Sequence, residues 1–229
     1  MDVALKCTYN DAKESDQDYV GFYGTCSRGT IMQNIADGHV LCTQPDYPCQ
    51  KWLDIGFKGP APKYPCYESR LFKDWEFGAG YYHNGPNAGE PIRMAGVEIG
   101  DIAILTTRFP NESKEPKRRI IGLFQIGDID DADETVLKSH KKYRVRLKVS
   151  EARQLYFWQY YYNKNAKNKQ PRWGSLLFRY LDQDITATIL AATREVVSDK
   201  DTKLLLDEML SDFLKGDVPQ PQGPLKNLK

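Results

Sequence analysis

The sequence predicts an α+β fold, mainly antiparallel, with helices flanking the sheet and an irregular Cys-rich N-terminal segment. Three observations carry this. Two apolar runs, IAIL within 99–108 and IIGLF within 118–127, are separated by a charged gap containing proline, the pattern of a β-hairpin. Residues 142–149 (KYRVRLKV) alternate apolar and cationic, the period of a half-exposed strand. Two amphipathic stretches follow Asp182 and Ser198, each with apolar residues recurring at helical spacing.

Taken in order, residues 1–70 are rich in Gly, Pro, Cys and Tyr and crowded with turn signals such as DYVGFYGT, QPDYP and GFKGPAPKYP. A short helix over 29–36 is the one regular element expected there. In 71–197, Gly100 and Asp101 form the turn before the first strand (99–108), and the second strand (118–127) returns beside it. In the third, Tyr143, Val145, Leu147 and Val149 share one face, with Arg144, Arg146 and Lys148 on the other. Over 150–163, the aromatics favour a strand, but Ser150 as a cap and the polar start favour the helix expected here, which places Leu155, Trp158 and Tyr162 on one face, Trp158 in the core. A short strand over 176–181 follows, and Asp182 caps a helix burying Ile185, Ile189 and Ala192. From 198 onward, a helix over 199–215 with Leu205, Met209 and Phe213 leads into a Pro- and Gly-rich tail expected to be loose. The segments 1–70, 71–197 and 198–229 are the expected units.

Composition bounds the function. The chain has 229 residues, 41 % hydrophobic and 28 % charged, with mean hydropathy −0.60. This is a globular profile with enough length for a hydrophobic core. No apolar run approaches the length of a membrane span. The first residues lack a basic patch followed by an apolar stretch, so no signal peptide is expected. Five cysteines without an export signal point to a reducing, cytoplasmic setting, where structural disulfides are not expected.

Net charge is +1, which excludes a uniformly basic nucleic-acid coat but hides an asymmetry. Residues 108–179 hold 17 Lys and Arg against 8 Asp and Glu, a net of +9. The basic charge falls in three bursts, 114–119 (KEPKRR), 138–148 (KSHKKYRVRLK) and 164–172 (KNAKNKQPR). If folding gathers them, they form a footprint for a polyanion; otherwise they are solvated loops.

The pattern of 71–192 resembles the PUA-like superfamily, most nearly its EVE-type domains and more distantly ASCH and YTH. The shared features are Gly100-Asp101 before an apolar strand (Ile102 to Leu105), a strand of the type IIGLFQI, a charged gap, the alternating YRVRLKV strand, and an Arg/Trp-containing loop before the last strand and helix. The resemblance implies a small twisted β-barrel with flanking helices. It also implies nucleic-acid binding, with a flipped or modified base held in an aromatic pocket. The Cys-rich segment is not part of that pattern.

Two constellations could carry such chemistry. Trp75, Phe77, Tyr81, Tyr82, His83 and Asn84 surround Gly78 and Gly80; rings can stack a base, worth about 1–3 kcal/mol per contact, and His83 or Asn84 can read its edge. Arg108, Lys117 and Arg118 are expected phosphate contacts, and Arg172 with Trp173 offers guanidinium to phosphate and indole to base. Separately, Cys26, Cys42, Cys49 and Cys66 lie in turn-rich contexts where a core is poor. Four thiolates there suit a structural Zn²⁺ or an iron–sulfur cluster. No CxxC fixes the choice, His39 is a weak substitute ligand, Cys7 is left over, and buried reduced thiols are the alternative.

Catalysis has little support. His39, His83 and His140 are scattered, and no GxSxG, HExxH, P-loop or dinucleotide fingerprint occurs. The acidic run 128–134 reads as a solvated loop, and nothing in the spacing selects Asp74, Glu76 or Glu90 as a carboxylate pair. The expected function is a nucleic-acid-binding module recognising an unpaired, flipped or modified base. The alternatives are an enzyme on nucleotides or nucleic acid using a Cys-bound metal, and a protein-interaction domain acting through 199–229.

Overall fold

A computed structural model describes residues 1–14, 18–110, 112, 114–161, 171–174 and 176–215. The burst over 164–170, Tyr162 and the tail from 216 lie outside the described residues. The fold is α+β. Six strands, β1 (Val3–Lys6), β2 (Glu76–Gly78), β3 (Ile102–Thr107), β4 (Arg119–Asp130), β5 (Val136–Arg146) and β6 (Phe178–Tyr180), form one mixed sheet in the order β2-β5-β4-β3-β1-β6. The sheet curls strongly into a half-barrel with helices around it. Register shifts between β4 and β5 at Phe124/Ile126 and Ile126/Asp128 are the kind of irregularity that bends a long hairpin. Gly127 lies in that stretch, where a Cβ would fall 2.7 Å from the His140 backbone.

The expected β3–β4 hairpin is present, with Ile102 opposite Gln125 and Thr107 opposite Arg119. The alternation of 142–149 also holds, since Val145 and Leu147 are buried while Arg144 and Arg146 are half-buried. Its strand begins earlier, at Val136, because residues 136–138 pair with β2 on one side and β4 on the other.

Two expectations are corrected. The first segment is more than turns and one helix: β1 runs parallel to β3 and antiparallel to β6 inside the sheet. Val3, Ala4 and Leu5 are fully buried. A strand buried on both faces shows no alternation, and three apolar residues are too short a run to stand out. The helix over 150–163 is one turn, α5 (Val149–Ala152), then a 3-10 turn over Phe157–Gln159. Leu155, Phe157, Trp158 and Tyr160 are all buried, and these four positions point all round a helix, so no single helical face could bury them. Tyr156 bridges to Arg119 instead, and the Phe157 N–H donates to the Arg118 carbonyl.

Helix α1 (Arg28–Ala36) matches the expected 29–36, capped by Ser27, which accepts from the Thr30 N–H. It is followed by α2 (Val40–Thr43), α3 (Pro48–Asp54) and α4 (Leu71–Asp74). Asp182 stands at the N-cap of α6 (Gln183–Val196), which buries Ile185 and Ile189, with Ala192 partly covered. Asp199 caps α7 (Lys200–Leu214), which packs on α6 and buries Leu206 and Met209. Leu205 and Phe213 are partly covered. Most apolar positions of this helix thus pack inside the molecule, while Leu204 stays exposed. One core cluster draws on Val3 to Leu5, on the sheet, and on Leu206 and Met209, so all three segments contribute to it. Among the described residues, no helix is long and apolar enough to cross a membrane.

Gly21 marks the tightest backbone approach. A Cβ there would sit 1.9 Å from the Asn10 carbonyl oxygen, and the Gly21 carbonyl accepts from Arg146 Nη2 at 2.9 Å. Gly21→Ala should cost about 1–3 kcal/mol, seen as a lower urea midpoint. An unchanged midpoint would mean that this crossing is looser in solution.

Candidate functional site

Because β1 and β3 run parallel, both end at the same edge of the sheet, and antiparallel β4 starts there. Lys6 ends β1, Arg108 follows β3, and Arg118 precedes β4. The strand directions thus gather three cations that lie far apart in sequence. They line a hollow of about 270 Å³, with Tyr9 and Phe109 beside them and Asp37 and His39 at its α1 side.

The charges there are held tightly. Arg118 is 1 % exposed. Its Nη2 donates to Glu115 Oε2 at 3.1 Å, and its guanidinium lies 4.6 Å from the centre of the Trp173 ring. Arg108 Nε stands 3.9 Å from the same Glu115 carboxylate. Burial pulls the Lys6 ammonium below its ordinary pKa, Arg118 and Arg108 push it further, and Glu115 opposes them. Among the described residues, Lys6 forms no ion pair within 4 Å. His39 is also pulled down, by burial and then by Arg108, which keeps it neutral at pH 7. One carboxylate is shared between two guanidiniums while a half-buried ammonium faces both, an arrangement that an entering anion relieves.

No family model, curated protein or solved structure matches the chain.

The structure brings together only part of the expected site. Arg108 and Arg118 line the hollow. Lys117 is exposed nearby, its Nζ 5.4 Å from the Tyr156 ring centre. Trp173 is not a surface base reader: it is 4 % exposed, its Nε1 donates to the Leu176 carbonyl at 2.9 Å, and one neighbour is the Arg118 guanidinium. Arg172 is exposed, and its carbonyl accepts from Arg179.

The ring cluster of 74–85 lies elsewhere, since β5 and β4 stand between β2 and β3. Trp75 adopts a left-handed backbone (φ 59°) after α4, is half-buried, and packs edge-on against Phe72 and Phe124 with Arg144 over it. Phe77 is sealed in the core. Tyr81 donates its hydroxyl to Asp133, Tyr82 is half-buried, and His83 and Asn84 are exposed. None of these six residues lines the cationic hollow.

The burst over 138–148 is tied to the chain's own acceptors. Lys138 pairs with Asp128 at 3.3 Å, Lys142 with Glu208, Arg146 with the Val20 and Gly21 carbonyls, and Lys148 with the Ser198 hydroxyl. Among the described residues, the basic burst that reaches the hollow is 114–119, through Arg118, joined there by Lys6 and Arg108. The sequence reading missed Lys6 and Tyr9 because it missed β1, and Phe109 because the loop after a strand carries no pattern of its own.

A second, smaller hollow of about 20 Å³ adjoins the first, with Thr8 and Tyr9 in both walls. Cys26, Cys42, Cys49 and Cys66 all line it, together with Glu68. All are free thiols. Cys7 lies apart from them in the core. Among the described residues, no group of three or more His, Cys, Asp or Glu is placed so that it could hold a metal ion.

Proposed function

We propose that the protein binds nucleic acid and seats one phosphate-bearing unit of the strand in the hollow at the β1/β3 edge. The observation that carries this reading is the convergence of Lys6, Arg108 and Arg118 on one cavity, where the two arginines share the Glu115 carboxylate. A volume of about 270 Å³ lies just under the usual range for small-molecule sites, which suits one nucleotide unit rather than a stacked pair. Lys117, exposed close to the hollow, supports a polyanion over a small isolated anion, because charge beyond the cavity adds phosphate contacts along a strand. Recognition of an unpaired or modified base is the finer part of the same reading, with Tyr9 and Phe109 the rings nearest the seat.

Titration of fluorescent single-stranded DNA and RNA at several salt concentrations tests this. Lys6→Gln and Arg108→Gln should each weaken binding about tenfold or more. Each should also reduce the slope of log affinity against log salt by about 0.7 on a single strand, one phosphate contact. Lys138→Gln, on β5 where it pairs with β2, should leave both unchanged, as should Tyr82→Ala. If Tyr82→Ala weakens binding while Lys6→Gln does not, the strand docks on the 74–85 edge. Competition by inorganic phosphate as strong as that by oligonucleotide would reduce the site to a simple anion pocket.

A further inference from the structure

The stretch from Tyr23 to Arg70 has little to hold it. Of its apolar side chains only Ile31 and Cys49 are buried. Helix α1 buries Ile31 and Asn34, α3 buries Cys49, and α2 buries nothing. Three short helices cannot offset their ordering entropy by burying two apolar side chains. Yet four separate pieces of this stretch each deliver a cysteine to one place. Cys26 precedes the Ser27 cap of α1, Cys42 lies in α2, Cys49 in the first turn of α3, and Cys66 caps the 3-10 turn over Tyr67–Ser69. All four meet around the smaller hollow.

We infer that Cys26, Cys42, Cys49 and Cys66 ligate an iron–sulfur cluster of the [4Fe–4S] type, which staples this segment to the half-barrel. The arrangement selects a cluster over a single ion. A tetrahedral zinc with Zn–S bonds of about 2.3 Å draws its sulfurs to within about 3.8 Å of one another. Here the four thiols surround a common space, but no three of them are placed to hold one ion. A cubane sets its ligands at four separate corners and tolerates a wider ring of thiolates. The void itself, about 20 Å³, is smaller than a cubane, so loading moves the cysteine-bearing pieces outward. The sparse packing of α2 permits that movement.

The assignment does not rest on nucleic-acid binding, and its test reads metal alone. The full chain, purified without oxygen and reconstituted with ferrous iron and sulfide, should carry about four iron and four sulfide per molecule. It should show the broad visible absorption of thiolate-bound iron and a paramagnetic signal after reduction by dithionite. Cys42→Ser and Cys66→Ser should each lose most of the iron, whereas Cys7→Ser should keep it. Should the serine variants fail to fold, chelation of the wild-type protein provides the second readout. Proteolytic cleavage should then appear within 24–66 while the sheet resists. Overturning results are one zinc and no iron, no metal at all, or iron retained when Cys42 and Cys66 are both replaced.

Discussion

Arg118→Ala should lower the stability of the fold by about 3–5 kcal/mol, the usual loss when one partner of a buried ion pair is removed. The side chain is 1 % exposed, while Glu115 is 21 % exposed, which places the expected cost near the lower bound. Deletion removes the bond to Glu115, the contact with the Trp173 ring and a long 3.5 Å approach to the Thr106 carbonyl, all at once. Glu115 is then left with Arg108 at 3.9 Å. Urea denaturation with an unchanged slope is the measurement. Arg118→Met keeps most of the volume and loses the charge, so it should also destabilise, and adding Glu115→Leu should recover part of the loss through coupling of the pair. Oligonucleotide affinity should fall in all three variants, because none restores the cation. A cost of Arg118→Ala below about 1 kcal/mol, the size of an exposed pair, would place this guanidinium in solvent and leave the proposed phosphate seat without its floor.

What the sequence made legible follows its periodicity. The alternating strand and the last two helices each bury one face and expose another, and a one-sided pattern is visible in a single chain; the β3–β4 hairpin is covered on both faces along β3 and was legible from two longer apolar runs either side of a charged, Pro-containing gap. A short element buried on every side leaves neither trace, which is why β1 and the 155–160 turn do not show in the sequence. The candidate site divides along the same line. Arg108 and Arg118 were named from charge, but only the parallel β1–β3 pairing brings Lys6 beside them. The expected base pocket failed to join them because β4 and β5 lie between β2 and β3, and strand order cannot be read from spacing. Trp173 illustrates a different limit. An Arg-Trp pair after a basic loop looks like a recognition surface in sequence, whereas here the indole lies against a buried arginine of its own chain. The four cysteines were grouped by composition alone, and the fold places all four around one hollow although α2, α3 and a loop separate them.

Stability should rise as pH falls from neutrality toward about 4, against the usual trend for carboxylates, and Asp2 is the cause. Its side chain is 3 % exposed. Burial raises its pKa from 3.8 to about 6, despite the opposing hydrogen bond from the Ile102 N–H. The Ile102 N–H donates to Asp2 Oδ1 at 2.7 Å, which fixes the carboxyl at the junction of β1 and β3. A carboxyl with a raised pKa is protonated in the folded chain before it is in the unfolded one. Folding is therefore favoured below the unfolded value, and that advantage is lost as pH rises through about 6. A shift of about 2 units corresponds to about 3 kcal/mol between pH 4 and pH 7. Glu151, held below its ordinary value by the N–H groups of Lys148 and Ser198, acts in the opposite sense and loses its contribution below about pH 4.5. The contrast with Asp2→Asn isolates the effect. Asparagine keeps the acceptor for Ile102 and cannot ionise, so the variant should exceed the wild type in stability at pH 7.5 and approach it at pH 4. Parallel stability curves for the two proteins across that interval would mean that Asp2 is solvated, and that the first strand does not sit buried between β3 and β6.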